Sequence, residues 1–302
     1  MTQFRIVIQP RETKTWPQFC ENNHAIALDG YVAGGPDWNH SRKLVNFDHH
    51  DGVVREATMS TAKQVYFAIK QGFCSWMGPT CDVYVNDIDQ DTVMAIWLLQ
   101  NHALFEGTGS VPTVSRILEL NDRLDITGGA FPMSLTDSTY GTHAWVFQPY
   151  TSLRTQGVIA RASVHEMQAC LESCCGRLTQ LLMGTAGVYY PNVVAKILQT
   201  GPITVLDETI NGIESRHVAF AESLIHGVYL SIVAKRDDGR FVYTLGKKSR
   251  YVDFDMKAAF DTLNYEEGHT KPHGWGGGDL IGGSDRMVGS SSTWQDILAL
   301  IS

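Results

Sequence analysis

Short apolar runs and segments of helical periodicity alternate along the first third of the chain. The runs that predict strands are Arg5–Ile8, Ala25–Leu28, Lys43–Phe47 and Asp82–Asn86. Thr58–Gln71 carries apolar residues at helical spacing behind Thr and Ser, which favour helix caps, and Val93–Gln100 predicts a second, strongly apolar helix. This alternation predicts an α/β domain in which helices cover both faces of a mostly parallel sheet.

The middle of the chain has a different pattern. After a short predicted helix at Val114–Leu120, residues 127–160 contain clusters of Gly, Pro, Ser and Thr without a clear period, which is typical of a linker or a lid. Arg161–Met183 has the pattern of one long helix, and we expect it to span two domains. The predicted divisions are a first domain (1–150), a linker with a connecting helix (151–185) and a second domain (186–302).

The second domain shows a smaller mixed pattern. Its predicted strands are Thr204–Leu206, Val228–Lys235 and Arg240–Leu245. The last two are joined by Arg236-Asp237-Asp238-Gly239, which predicts a hairpin. Its predicted helices are Glu214–Ile225, Asp255–Leu263 and Trp294–Ile301. We therefore expect a smaller α/β domain, with a ligand cleft between it and the first domain.

The composition is that of a globular protein with a sizeable core, because 43% of the 302 residues are hydrophobic and 19% are charged. The formal net charge of −8 argues against a protein that coats long nucleic acid, which needs a broad basic surface. A nucleotide or a short oligonucleotide held in a local pocket is still compatible with this charge. The sequence leaves the oligomeric state open, a homodimer included.

The six cysteines do not have the arrangement of a secreted disulfide framework, and we expect reduced thiols. The first fifteen residues lack the apolar segment of a signal peptide. No stretch approaches the roughly 18 apolar residues of a membrane span. These features predict a cytoplasmic protein without a membrane partner.

Metal-competent side chains follow two of the predicted strands. Asp48, His49 and His50 come directly after the third strand, and a sharp turn there would aim all three into one cleft. Asp87, Asp89 and Asp91 occupy alternate positions between the fourth strand and its helix. One or two carboxylates are common helix caps, but three packed together repel each other unless a cation neutralises them. The alternative interpretation of this run is a helix cap with surplus carboxylates.

Two further carboxylates are candidates for the same site. Asp29 ends the second strand before Gly30, where strand ends line the ligand crevice of an open α/β sheet; the alternative is a simple turn aspartate. Asp122 lies just after the predicted helix Val114–Leu120. The alternative interpretation of Asp122 is a charge pair with Arg123 at the helix end.

A glycine-rich segment near the end of the chain is a candidate anion cradle. Its glycines let backbone N–H groups approach an anion closely, and an arginine adds further donors; the alternative is a flexible loop. The candidate residues in this segment are Gly276, Gly277, Gly278, Gly282, Gly283, Ser284 and Arg286.

Asp48-His49-His50 after a strand, combined with the run of Asp87, Asp89 and Asp91, resembles the DHH phosphoesterase superfamily. Its members include single-strand exonucleases, oligoribonucleases, cyclic dinucleotide phosphodiesterases and manganese pyrophosphatases. The second domain resembles the DHHA1 domain that often accompanies it. The segments that carry this second resemblance are the hairpin Val228–Leu245, Lys248-Ser249-Arg250, the helix Asp255–Leu263 and the glycine run Gly276–Gly283.

The resemblance implies a hydrolase that uses Mn²⁺ or a similar divalent ion (Co²⁺, Fe²⁺, Zn²⁺ or Mg²⁺). Carboxylates with a few imidazoles suit such ions, and a pair of ions would activate water. The residues expected to supply ligands are Asp29, Asp48, His49, Asp87, Asp89, Asp91 and Asp122. Asp48, His50 and Asp89 are the expected catalytic residues, and Arg250 joins the glycine segment in substrate binding.

The chain departs from the family pattern in two ways. The aspartate run follows Asp48-His49-His50, whereas in the family it usually precedes that motif. Gly276-Gly277-Gly278 is followed by Asp279, and the nearest histidine, His273, comes before it. Three functions therefore stay open: a phosphoesterase acting on a small nucleotide or a short oligonucleotide, a metal-dependent hydrolase of a non-phosphate small molecule, and a non-catalytic nucleotide-binding module.

Overall fold

The computed structural model describes residues 2–50, 52–269 and 274–302, so His273 lies outside the described residues. The chain divides into two compact units. The first consists of the residues up to Ile126, Thr136–Leu153 and Arg161–Tyr190, and the second of Thr127–Leu135, Arg154–Ala160 and Pro191–Ser302. The predicted start of the second domain at 186 lies near the end of the first unit. Residues 161–185 of the predicted connecting segment belong to the first unit.

A five-stranded sheet forms the centre of the first unit. The strands of the unit are β1 (Gln3–Ile8), β2 (Lys14–Thr15), β3 (Ala25–Leu28), β4 (Val32–Ala33), β5 (Asp37–Asn39), β6 (Leu44–Phe47) and β7 (Thr80–Val85). The sheet has the order β1, β7, β3, β6, β5; the first four strands run parallel, and β5 runs antiparallel to β6. β2 and β4 form a separate parallel pair. β3 and β6 are buried at every position, as is typical of parallel strands covered on both faces.

Helices flank this sheet and begin at well-defined caps. They are α1 (Trp16–Phe19), α2 (Thr61–Lys70), α3 (Phe73–Met77), α4 (Gln90–Gln100), α5 (Pro112–Ile126), α6 (Ser138–Thr155) and α7 (Val164–Leu182), with 3-10 helices at Arg55–Ala57, His102–Leu104 and Ile159–Arg161. The Ser60 hydroxyl accepts a hydrogen bond from Lys63 N at the start of α2, and the Asp89 carboxylate accepts one from Thr92 N at the start of α4. These elements confirm the predicted α/β class.

The prediction of a linker or lid over residues 127–160 was wrong for most of that segment, because α6 occupies Ser138–Thr155. Its Gly, Pro, Ser and Thr content hides the helix, and Pro149 lies inside it. Tertiary packing overrides this weak local preference, since Tyr140, His143 and Phe147 form a buried face at helical spacing.

The second unit is built on a six-stranded mixed sheet. Its strands are β8 (Lys196–Gln199), β9 (Ile203–Asp207), β10 (Val228–Lys235), β11 (Phe241–Lys247), β12 (Gly276–Gly277) and β13 (Ile281–Gly283), and its helices are α8 (Ile213–Ala221), α9 (Met256–Glu267) and α10 (Trp294–Ile301). The order is β12, β13, β11, β10, β9, β8, with β9 and β10 parallel and the other pairs antiparallel. Among the helices that the structure describes in either unit, none has the length and hydropathy needed to cross a bilayer.

Candidate metal centre

Polar side chains follow the carboxyl ends of three neighbouring strands in the first unit. Asp29 follows β3, Asp48 follows β6, and Asp87 comes shortly after β7. Because β3 lies between β6 and β7 and all three run parallel, these ends meet at one edge of the sheet. Asp29 has a left-handed backbone conformation, with φ of 52°, in the turn that ends β3. The topology therefore gathers acidic residues that are far apart in the sequence.

His49 lies fully buried among these carboxylates. Its Nε2 atom is 2.7 Å from Asp125 Oδ2 and 3.6 Å from Asp29 Oδ1. Despite these short separations, neither ring nitrogen of His49 has a hydrogen-bond partner, and neither does Asp125 Oδ2. Buried polar atoms without partners cost free energy. Two ligands of one ion, each about 2.1 Å from it, lie roughly 3 Å apart, so these separations fit atoms that share a cation.

Two overlapping sets of side chains have the spacing of metal ligands. Asp29, His49 and His50 form one set, and His49, Asp91 and Asp125 form the other. Within each set the ligand atoms lie within 4.8 Å of one another, and His49 belongs to both sets. A mixture of carboxylate oxygens and imidazole nitrogens suits divalent ions such as Mn²⁺ and Zn²⁺.

Hydroxyl groups at two helix starts fix the Asp29 carboxylate. Thr61 Oγ1, in the first turn of α2, donates to Asp29 Oδ1 at 2.9 Å. Thr92 Oγ1, in the first turn of α4, donates to Asp29 Oδ2 at 3.3 Å. His50 Nδ1 lies 3.5 Å from Asp29 Oδ1. The carboxylate is thus oriented before any ligand arrives.

Asp48 shapes the turn that carries the two histidines. Its Oδ1 atom accepts hydrogen bonds from the backbone N–H of His49 at 2.6 Å and of His50 at 3.0 Å, and it lies 2.8 Å from His50 Nδ1. Asp48 was expected to be a metal ligand and a catalytic residue. Among the described residues it belongs to neither ligand set, and its contacts give it a positioning role.

The three aspartates at positions 87, 89 and 91 make different contacts. Asp91 is buried, and its carboxylate accepts hydrogen bonds from Ala62 N at 3.2 Å and from Asn121 Nδ2 at 2.8 Å. Asp89 caps α4, as the alternative interpretation proposed for this run. Asp87 accepts a hydrogen bond from the backbone of the next residue at 2.7 Å, and its charge raises the pKa of Asp89. Asp91 is thus the member of the run that belongs to a ligand set.

The carboxylate that α5 contributes is Asp125, whereas the sequence predicted Asp122. Asp122 accepts hydrogen bonds from Ser60 N at 2.9 Å and from Lys63 Nζ at 2.8 Å, which occupy its carboxylate. Asp125 lies one turn further along the helix and reaches the buried histidine. Asn121 and Asp125 are four residues apart and therefore share one face of α5. The sequence alone gives no signal for Asp125, because this face of α5 can be recognised only once the helix is packed against the sheet.

His143, which the sequence analysis did not select as a candidate, also belongs to the surroundings of the acidic residues. His143 is buried in α6, and its Nε2 atom lies 3.1 Å from Asn121 Oδ1. Burial lowers the pKa of His143 to about 3, so its ring is neutral. The ring N–H then donates to the Asn121 oxygen, which orients the Asn121 amide toward Asp91. Asn121 and His143 are therefore positioning residues.

The negative charges of the centre are only partly balanced by its cationic groups, which are His49 and the buried Arg55 beside Asp125. Burial raises the pKa of Asp29, but the two neighbouring histidines outweigh it and hold that pKa below its usual value. Burial lowers the pKa of His49, but the proximity of Asp125 and Asp29 raises it well above its usual value. Burial and the charge of Asp29 raise the pKa of Asp89, and burial and the charge of Asp125 raise that of Asp91. Crowded carboxylates of this kind fit a divalent cation.

The glycine segment predicted to cradle an anion forms strands of the second unit. β12 pairs with β13, and β13 pairs with β11. A Cβ atom at Gly282 would overlap Gly276 O, and one at Gly283 would overlap Tyr243 O. Gly282 and Gly283 therefore permit a close approach of strands, which accounts for these two glycines without an anion. Their role in substrate binding stays a prediction.

The remaining predicted substrate residues also lie in the second unit. Ser284 is buried, and its hydroxyl accepts a hydrogen bond from Tyr243 N at 2.9 Å. Arg250 and Arg286 have exposed side chains, and the Arg286 carbonyl accepts a hydrogen bond from Arg236 at 3.2 Å. Ser284 is thus tied to the sheet, whereas both arginines are accessible to an anionic ligand.

No protein-family model, no curated protein and no solved structure matches this chain. The geometry of the first unit therefore carries the functional interpretation.

Proposed function

We propose that the chain is a divalent-metal-dependent hydrolase whose centre lies at the strand ends of the first unit. The observation that carries this proposal is His49, which is buried among Asp29, Asp91 and Asp125 with no hydrogen bond to either ring nitrogen. If the 2.7 Å approach of His49 Nε2 to Asp125 were a purely structural ion pair, a well-aligned hydrogen bond would be expected between them, and none is made. A histidine that ligates a cation needs none on its coordinating nitrogen.

The two ligand sets point to a pair of ions. Asp29 and His49 would hold one, with His50 beside it, and Asp91 and Asp125 would hold the other. The ligand chemistry favours Mn²⁺ or a similar ion. Bound there, the ions would activate a water molecule for attack and stabilise negative charge on the leaving oxygen.

The chain's own groups prepare this centre. The side chain of His50 is 40% exposed, which leaves it accessible to a substrate, while its pairing with Asp48 fixes the ring orientation. With its Nδ1–H donating to Asp48, the other ring nitrogen is free to exchange a proton with a substrate oxygen. His50 is therefore the proposed acid–base residue, and Asp48 positions it.

A phosphoester of a small nucleotide or a short oligonucleotide is the proposed substrate class. Two features support it: the Asp48-His49-His50 motif with its aspartate run, which resembles phosphoesterases, and the net charge of −8, which disfavours long nucleic acid. All six cysteines are free thiols, which fits a reducing compartment, and we propose the cytoplasm.

A substrate panel in Mn²⁺ tests the proposed reaction. Phosphodiesters and phosphomonoesters should be hydrolysed, whereas amides and lactams should not, and a chelator should abolish turnover. His49→Ala and Asp91→Ala should remove the activity, while the exposed His165→Ala should keep it. Turnover of amides or lactams would contradict the proposed phosphoester substrates and would favour a hydrolase of a non-phosphate small molecule. Tight nucleotide binding without turnover would favour a binding module.

A further inference from the structure

The described part of the first unit holds another group of side chains with the spacing of metal ligands. Cys74, His102 and Glu106 each place a ligand atom within 4.8 Å of the other two. They come from different elements, because Cys74 lies in α3, His102 begins the 3-10 helix after α4, and Glu106 follows that helix. None of the three belongs to the acidic centre. We propose that these residues bind a thiophilic divalent ion of the Zn²⁺ class.

The donor set selects the kind of ion. A thiolate, an imidazole and a carboxylate together suit Zn²⁺, whereas the acidic centre contains no sulfur and suits harder ions. Around a tetrahedral Zn²⁺ these donors lie roughly 3.3–3.6 Å apart. His102 Nδ1 is 2.7 Å from Glu106 Oε1, so the ion would replace the proton that these two atoms share. Small side-chain movements are enough to form the site.

The burial of the three residues gives the site one open side. Cys74 and His102 are buried, whereas the Glu106 side chain is 41% exposed and leaves room for water as a fourth ligand. Burial and the charge of Glu106 raise the pKa of the Cys74 thiol to about 12, so this thiol is protonated in the metal-free chain. Binding of Zn²⁺ through the thiolate therefore releases the thiol proton to solvent.

Hydrogen bonds hold the elements on both sides of this site. Thr2 Oγ1 donates to the Cys74 carbonyl at 2.7 Å, which ties α3 to the strand that begins the sheet. Lys70 Nζ donates to the Gly107 carbonyl at 3.1 Å, which fixes the turn that carries Glu106. An ion bound between these elements would cross-link α3 to the segment after α4, so its expected role is structural.

Cobalt is the probe that tests this site, because a thiolate bound to Co²⁺ gives a charge-transfer band that carboxylate and imidazole ligands do not give. We expect the reduced, metal-free full-length chain to develop this band as Co²⁺ is added, up to one ion bound through Cys74. Zn²⁺ should abolish the band by displacement and should raise the midpoint of thermal unfolding. Cys74→Ser should lose the band and should show a smaller thermal shift than the wild type, because the acidic centre can still bind Zn²⁺.

The controls separate this site from other cysteines and from folding defects. Cys20→Ser, at a partly exposed free thiol outside this group, should keep the band. If Cys74→Ser fails to fold, Glu106→Gln serves in its place, because its exposed side chain can be changed without disturbing the core; it should weaken Zn²⁺ binding at least tenfold. A wild-type chain without the band, or a folded Cys74→Ser variant that retains it, would overturn the proposal.

This test is independent of the proposed hydrolase. His49→Ala should retain the thiolate band in full, since the acidic centre contributes no sulfur ligand. Loss of activity in His49→Ala with the band intact would support both sites separately. A normal band in a chain that hydrolyses no substrate would support the zinc site and contradict only the hydrolase.

Discussion

Both units bury charged side chains, but the two units differ in the hydrogen bonds that these side chains make. In the second unit Arg216 donates to both oxygens of Glu208 at 2.8 Å and to the Gly128 carbonyl at 2.9 Å. Ser231 donates to the same carboxylate at 2.7 Å. In the first unit, by contrast, the buried ring of His49 approaches two carboxylates without making a hydrogen bond.

The comparison shows that burial of charge does not by itself indicate function. Arg216 and Glu208 are paired and hydrogen-bonded, as buried ions in a structural role must be. The acidic centre instead combines crowded carboxylates with a ligand-competent nitrogen that lacks a partner. The ring nitrogens of His49 without a hydrogen bond, together with the excess of negative charge around them, point to a bound cation.

The largest expected effect on stability comes from breaking the hydrogen-bonded ion pair of Arg216 and Glu208. Arg216→Met should lower the free energy of unfolding by about 3–5 kcal/mol, because Glu208 would be left as a buried, uncompensated charge. The double variant Arg216→Met/Glu208→Leu should be less destabilised than the single variant, and urea unfolding measures both. Lys257→Met, in the exposed pair with Asp261, is the control and should leave the urea midpoint unchanged. Equal stability of single and double variants would contradict the assignment of a buried pair.

A smaller effect is expected from the positioning residues of the acidic centre. Asn121→Ala should reduce Mn²⁺ affinity about 10–100-fold, because Asp91 loses the donor that orients it. His143→Gln keeps a donor for Asn121 and should retain most of the affinity. Calorimetric titration of Mn²⁺ into the metal-free chains measures both variants. Unchanged affinity in Asn121→Ala would mean that Asp91 does not ligate the ion.

The smallest expected effect concerns Glu214, a carboxylic acid whose pKa is raised by burial alone. Burial raises the pKa of Glu214 to about 7 from 4.5. The folded state therefore favours the protonated form, and stability falls as pH rises from about 4.5 through 7. Glu214→Gln should be more stable than the wild type at pH 8, by about 1–2 kcal/mol after allowance for its partial exposure, and no more stable at pH 4.

Thermal unfolding at the two pH values measures this difference. The exposed Glu222→Gln is the matched control and should behave like the wild type at both. A gain in Glu214→Gln that does not depend on pH would show that burial of the charge is not its cause.

Much of the first unit could be predicted from the sequence because its strands are short apolar runs with sharp ends. β3 of the first unit has the predicted bounds, and so do β10 and α10 of the second unit. α6 could not be predicted, since its stability comes from packing of Tyr140, His143 and Phe147 that its Gly, Pro, Ser and Thr content conceals.

The candidate site was predictable where the strand ends defined it and not where a helix completes it. Asp29, His49 and Asp91 lie at or near strand ends, and the structure brings them together. Asp125 comes from the interior of α5, and its position depends on how that helix packs, which the sequence does not specify. Asp48 and Asp122 carry the expected charge, but local donors already occupy the Asp122 carboxylate and one oxygen of Asp48.

Metal content most directly tests the claim that the acidic centre needs a cation. The chain should be purified without chelator, reconstituted with Mn²⁺ and analysed by mass spectrometry beside His49→Ala, with the exposed His165→Ala as control. The wild type and His165→Ala should hold roughly two equivalents at this centre, and folded His49→Ala should lose them. Equal metal content in His49→Ala and the wild type would contradict the account, and the acidic cluster would then be structural.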